Sequence, residues 1–293
     1  LGTVPIPYVI AAKRVVTHCP GDYMVAKRAQ FHGIKLMREC FRACPAIVSL
    51  DDVEATIAVS RFLKAKHVAT MERWVKVLDP RMALRRWPEL ARVPSAAWQI
   101  ARMGLSMVDV PKSFLGPIVQ TLIGKFDERF DRFFDRCLSS DSKQACVDRS
   151  SRYLNWRYGE KSPNASRSVG FVASKRGDVE GYVVCGNSHD AEKTGFILEL
   201  LVAPTAGDDV VNALVAFASK TLRRQGAWLM RWHLLQSDAR RLQPILAHWG
   251  FSRRASQHQL LVYLNDGATA PPVADHVWRQ QFGDAEASHG ALY

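Results

Sequence analysis

The sequence predicts an α/β (α+β) chain built from two units, each a sheet flanked by helices. Three observations predict it. Strand-like and helix-like patterns alternate along 293 residues, a length that accommodates two cores of ordinary size. The alternation is interrupted once, between residues 79 and 125, by prolines at 80, 88, 94, 111 and 117. The composition, 47% apolar and 23% charged with no low-complexity tract, is that of a folded protein and excludes the disordered and fibrous classes.

The first unit opens with "VPIPYVIAAKRVVTHCPGDYMV", two β-rich runs around Ala11 to Arg14 and a turn signal at Pro20 and Gly21, read as strand, turn, strand. From Gly33 onward, Ile34, Met37, Phe41 and Cys44 recur at helical spacing and form one apolar face, which Pro45 ends. The short apolar run "AIVSL" then reads as a strand. A cap at Asp51 or Asp52 starts a helix reaching about Ala65, and "HVATMERWVKVL" reads as a strand. The order is β, β, α, β, α, β.

Between residues 79 and 125, arginines at 81, 85, 86, 92 and 102 alternate with short apolar stretches. The segment reads as a linker with short helices. A mixture of this kind suits a membrane surface or the seam between two domains, and the seam is the expectation adopted. In "FDERFDRFFDRCL", Phe126, Phe130, Phe133 and Phe134 form a helical stripe, and "SSRYLNWRYGE" is a second, shorter helix. "SVGFVASKRGDVEGYVVCG" is a hairpin, followed by strand "GFILELLVAP", a helix from about Asp209, strand "WLMRWHLL", a helix from about Asp238 to Trp249 that stops at Gly250, and strand "QLLVYLN". The order is α, α, β, β, β, α, β, α, β.

Forty Lys and Arg against 28 Asp and Glu leave a net charge of +12, which favours anionic partners such as phosphorylated cofactors. No apolar run reaches the roughly 18 residues of a membrane helix. The chain starts at Leu1 with no secretory pattern before Val4, as expected of a sequence that begins inside a longer protein and of a cytoplasmic location. Cys19, Cys40, Cys44, Cys137, Cys146 and Cys185 contain no C-x-x-C pair and are read as reduced thiols, and the nine histidines show no metal-ligand spacing. No metal is expected.

The element order, together with the strand-to-helix turn V-x-x-x-x-Q-x-x-G-x (Val25, Gln30, Gly33), resembles the GNAT superfamily of acyl-CoA N-acyltransferases. The chain is similar to a tandem pair of such folds whose first repeat lacks its opening elements. The resemblance implies, for each unit, a mixed and mainly antiparallel sheet. It divides the chain into a partial domain at 1–80, a linker at 81–125, a second domain at 126–265 and a tail at 266–293. "YLNWRY" (Tyr153 to Tyr158) and "WRQQFGD" (Trp278 to Asp284) resemble bacterial GNAT proteins of uncertain substrate, some associated with polysaccharide synthesis.

An acyl-CoA, acetyl-CoA first among them, is the implied cofactor, on a segment comprising Met24, Val25, Lys27, Arg28, Gln30, His32, Gly33, Ile34 and Lys35. A helix start leaves backbone N–H groups without partners and carries partial positive charge, so a pyrophosphate docks there. A glycine admits close approach. The family pattern has glycine or alanine where this chain has Lys35, a residue that either pairs with a phosphate or fills its space. In the second unit Asp208 and Asp209 occupy the corresponding helix start, where they would repel a pyrophosphate, so that unit is expected to bind the acceptor or to serve as scaffold.

Asp22 and Glu199 are the candidate bases for an attacking amine. Asp22 precedes the motif strand and doubles as a turn residue. Glu199 lies in an apolar strand, where desolvation raises a carboxyl pKa or an ion pair with Arg157 or Arg231 holds it. Neither helix where the family carries an acidic tyrosine contains one; Ser60 and His248 stand there instead, and the general acid is unassigned. The function expected is transfer of an acyl group to an amine of a small molecule, amino sugar or peptide. The alternatives are aminoacyl transfer from a charged tRNA, the one case in which nucleic acid is expected, and a non-catalytic glycan- or protein-binding fold.

Overall fold

The structure, a computed structural model, describes residues 2–21, 32–51, 53–85, 87–113, 116–140, 144–160, 167–188, 193–256, 258–265 and 277–284. Strands β1 (Gly2–Ile10) and β2 (Lys13–Gly21) form a hairpin in unbroken register from Gly2↔Gly21 to Ile10↔Lys13. Its turn is Ala11-Ala12, with φ of 49° and 62°, within the Ala11–Arg14 stretch that the two β-rich runs flank, whereas Pro20-Gly21 form no turn and pair with Thr3 and Gly2. Two-residue loops of this type require positive φ at both positions because only that twist matches the flanking strands. The ladder here imposes it on two alanines.

Helix α1 (His32–Ala43) buries Gly33, Met37 and Phe41, whereas Ile34 is 45% exposed. The buried stripe is thus displaced by one residue from the expected one at its N-terminal end. Strand β3 (Ala46–Asp51) is followed by α2 (Glu54–Phe62), where the Asp51 carboxylate accepts from the Val53 N–H at 2.8 Å. Strand β4 (Lys66–Val77) comes next. The segment read as a linker is more structured than expected. After 3-10 turns at Pro80–Arg85 and Pro88–Arg92 it forms the 19-residue helix α3 (Ser95–Ser113) and an edge strand, β5 (Val119–Thr121).

The second unit comprises α4 (Glu128–Ser139), β6 (Gln144–Val147), α5 (Ser151–Tyr158), β7 (Ser168–Ala173), β8 (Val179–Asn187), β9 (Thr194–Val202), α6 (Asp208–Arg224) and β10 (Leu229–Leu235). The single helix expected at 238–249 is two, α7 (Gln236–Arg241) and α8 (Gln243–His248), since Pro244 has no N–H to continue the ladder. β11 (Ser252–Arg254), β12 (Gln259–Leu264) and β13 (Val277–Arg279) follow.

Among the described residues the strands join one mixed sheet in the order β13-β6-β1-β2-β3-β12-β4-β10-β9-β8-β7-β5, with β11 on β4. Strands are shared between the halves. β12 lies antiparallel between β3 and β4, and β6 lies antiparallel to β1. One core consequently draws Tyr8, Val48 and Met71 together with Phe130, Tyr182 and Leu260. A second, beneath α6, holds Leu214, Leu222, Trp232 and Trp249.

Candidate functional site

The same local geometry occurs twice. β2 and β3 run parallel but pair only at His18↔Ile47. β9 and β10 run parallel from Leu229↔Thr194 to Trp232↔Ile197 and then part. Where they part, the register between β8 and β9 shifts: Val184 faces Glu199 and Cys185 faces Ile197, so Leu198 is the extra residue of a bulge. Each wedge opens at the strands' C-terminal ends, toward the helix that follows.

At the first wedge, Asp22, Met24, Val25, Lys27, Arg28 and Gln30 lie outside the described residues. Of the rest of the expected segment, His32, Ile34 and Lys35 are exposed and Gly33 is buried on the face shared with Met37 and Phe41. No acidic residue stands in the first turn of α1. In α6, by contrast, the first turn carries Asp208 and Asp209, both exposed.

The second wedge is filled by the chain's own tail. Gln281 donates to the Leu200 carbonyl at 3.3 Å, and Phe282–Asp284 touches both β9 and β10. Behind this plug lies a fully buried network. Glu199 accepts from Arg149 Nε at 2.9 Å, from Tyr158 OH at 3.0 Å and, very closely, from Tyr182 OH. Arg149 also donates to Asp284 at 2.6 Å and to the Val147 carbonyl at 2.9 Å. Tyr8 OH donates to Gln280 at 2.5 Å. Burial raises the Glu199 pKa, with Arg149 opposing, and burial likewise holds Tyr158 and Tyr182 well above the ordinary phenol range.

The partner of Glu199 is therefore Arg149, and neither expected arginine takes that place. Arg157 donates through Nε to the Gly283 carbonyl at 2.8 Å, and Arg231 lies over the Phe196 ring at 5.9 Å. A side chain at position 283 would collide with Tyr158 OH, which explains the glycine. A cavity of about 200 Å³ adjoins the plug, bordered by Arg149, Leu201, Pro204, Trp232 and Asp238. Trp232 is 1% exposed, and its indole N–H has no hydrogen-bond partner among the described residues. Ser60 is buried in α2, and His248 is exposed beside Trp249.

Solved structures share this architecture. A probable N-acyltransferase from Enterococcus faecalis V583 superimposes with a TM-score of 0.51 at 12% identity, covering 89% of this chain and 57% of its own. A GCN5-related N-acetyltransferase from Kribbella flavida gives 0.52 at 12%, covering 89% and 56%. Saccharomyces cerevisiae N-myristoyltransferase gives 0.53 at 13%, covering 92% and 63%. The chain has the GNAT fold. It spans less than two thirds of the length of these three structures. No protein-family model matches the sequence, and a search of curated proteins finds no match.

Within the GNAT fold, the two stretches singled out in the sequence converge on one place. "YLNWRY" supplies Arg157 and Tyr158, and "WRQQFGD" supplies Gln280, Gly283 and Asp284. Arg149 and Tyr182 were missed. Arg149 sits in the aperiodic "VDRSS" between β6 and α5, and Tyr182 reads as an ordinary core residue of a strand.

Proposed function

We propose that the protein is an N-acyltransferase that moves an acyl group, acetyl in the first instance, from acyl-CoA to an amine of a small molecule, amino sugar or peptide. The observation supporting this most is the asymmetry of the two wedges. The first ends on a helix whose start carries His32 and Lys35 and no carboxylate, whereas the second is plugged by residues 281–284 and ends on Asp208 and Asp209. The partial positive charge that a helix carries at its start favours a pyrophosphate there.

Acyl-CoA is accordingly assigned to the first unit, on Met24, Val25, Lys27, Arg28, Gln30, His32, Gly33, Ile34 and Lys35. The thioester supplies an activated carbonyl, and the chain supplies orientation and a base. Asp22, which follows the last residue of β2, is assigned the proton of the attacking amine. Glu199 holds Arg149 at the border of the cavity beside the second wedge and so acts as a positioning residue of the scaffold.

The S. cerevisiae protein that shares the fold binds myristoyl-CoA, so chain length is part of the test. Acetyl-CoA and myristoyl-CoA are titrated calorimetrically into the wild type and Lys35→Glu, an exposed position whose change leaves the core intact. Saturable binding of one of them, weakened roughly fivefold or more by the charge reversal, is expected. Absence of binding by a chain shown to be folded overturns the reading.

A further inference from the structure

Helix α3 is amphipathic the wrong way round for a solvent-facing helix. Its described charged residues point inward. Asp109, 7% exposed, pairs with Lys76 of β4 and Arg223 of α6, each at 3.0 Å. Arg102 donates to the Arg223 carbonyl at 2.9 Å and lies 3.6 Å from Asp79. The inner face thus covers the seam between β4 and α6. The outer face presents Ile100, Met103 and Met107 at 71%, 59% and 65% exposure.

Beside it runs a groove of about 1010 Å³ between α3, residues 116–119 and α6, bordered by Met103, Ile118, Phe217, Lys220 and Arg224. Ile118 and Ile123, at the two ends of β5, are 85% and 88% exposed. Isolated apolar side chains scattered singly are ordinary on a protein surface; a helix face with adjoining projecting tips is not.

We propose that this face docks on an anionic lipid bilayer surface. Two observations select that occupant. The charge is complementary: Lys220 and Arg224 are exposed at the border of the groove and Arg92 and Lys125 are exposed on the flanking segments, while of the acids between 79 and 125 Asp79 and Asp109 are buried in ion pairs and Glu89 is exposed, and the exposed Asp208 and Asp209 stand at the opposite end of α6 from Arg224. The shape is irregular, with a helix flank, a groove and protruding isoleucines, which a fluid interface accommodates without the matching contour that a protein partner must supply. The contact is peripheral, since no helix among the described residues is long and apolar enough to cross a membrane.

The test is sedimentation of the purified chain with vesicles of phosphatidylcholine alone and of phosphatidylcholine mixed with phosphatidylglycerol. Co-sedimentation with the mixed vesicles, falling as salt rises, is expected. The double variant Ile100→Ser/Met107→Ser is expected to lower the partition coefficient about tenfold or more, and Lys220→Glu/Arg224→Glu to abolish the preference for anionic vesicles. All four positions are exposed, and an unchanged circular dichroism spectrum confirms that each variant folds. No sedimentation, or sedimentation that both variants retain, overturns the proposal. A wild-type dimer that Ile100→Ser/Met107→Ser dissociates, without vesicle binding, also overturns it and assigns the face to a second copy of the chain.

Discussion

Burial strips water from His233 in β10 and, with His258, Arg73 and Arg231 beside it, lowers its pKa to about 3. An unfolded histidine titrates near 6.5. Between those values the unfolded chain binds more protons than the folded one, so this contribution to stability is complete above about pH 6.5 and is lost as the pH falls, by up to about 1.4 kcal/mol per unit. Urea midpoints measured from pH 7 to pH 5 are expected to decline, and His233→Phe to flatten the decline; an unchanged slope in the variant assigns the effect elsewhere. At this scale the sequence was partly legible. Glu199 stood out because a carboxylate in an apolar strand must be compensated, but strand periodicity names a face and not the cation that reaches it. Its partner Arg149 lies in an aperiodic stretch, and Asp284 arrives from 135 residues further along the chain.

The β1–β2 hairpin is an element whose turn residues work against it. Ala11 and Ala12 hold φ of 49° and 62°, a region that costs an alanine roughly 1 kcal/mol and costs asparagine or glycine little. Replacing the pair with Asn-Gly is expected to raise stability by about 1 kcal/mol, read as a higher urea midpoint at unchanged slope; a drop would show that the alanine side chains are needed. The two runs flanking Ala11–Arg14 were legible, whereas the turn signal at Pro20 and Gly21 is overridden. Pro20-Gly21 is the stronger local signal, but nine paired positions of ladder outweigh it. α3 was obscured similarly, because its prolines punctuate without interrupting. Pro94 precedes the first turn, and Pro111 falls in the last, where the N–H it lacks removes a single bond, to the carbonyl of Met107, close to the helix end.

Across the whole molecule, the exchange of β6 and β12 ties the two units into one sheet and one mixed core. Tryptophan fluorescence and far-ultraviolet circular dichroism are expected to report a single coincident urea transition, whereas two separated transitions would mean that the units hold together independently. The alternation of strands and helices was readable locally, so the fold class and most elements were visible in the sequence. The exchange was not, because β12 pairs with β3 across some two hundred residues and no local pattern records a partner that distant. That pairing also orders events during synthesis. β3 leaves the ribosome some two hundred residues before its neighbour β12, an interval on the order of ten seconds or more at ordinary elongation rates. For that interval β3 presents an open edge to every other nascent chain nearby, and the protein's yield in a cell depends on whatever shields that edge until β12 arrives.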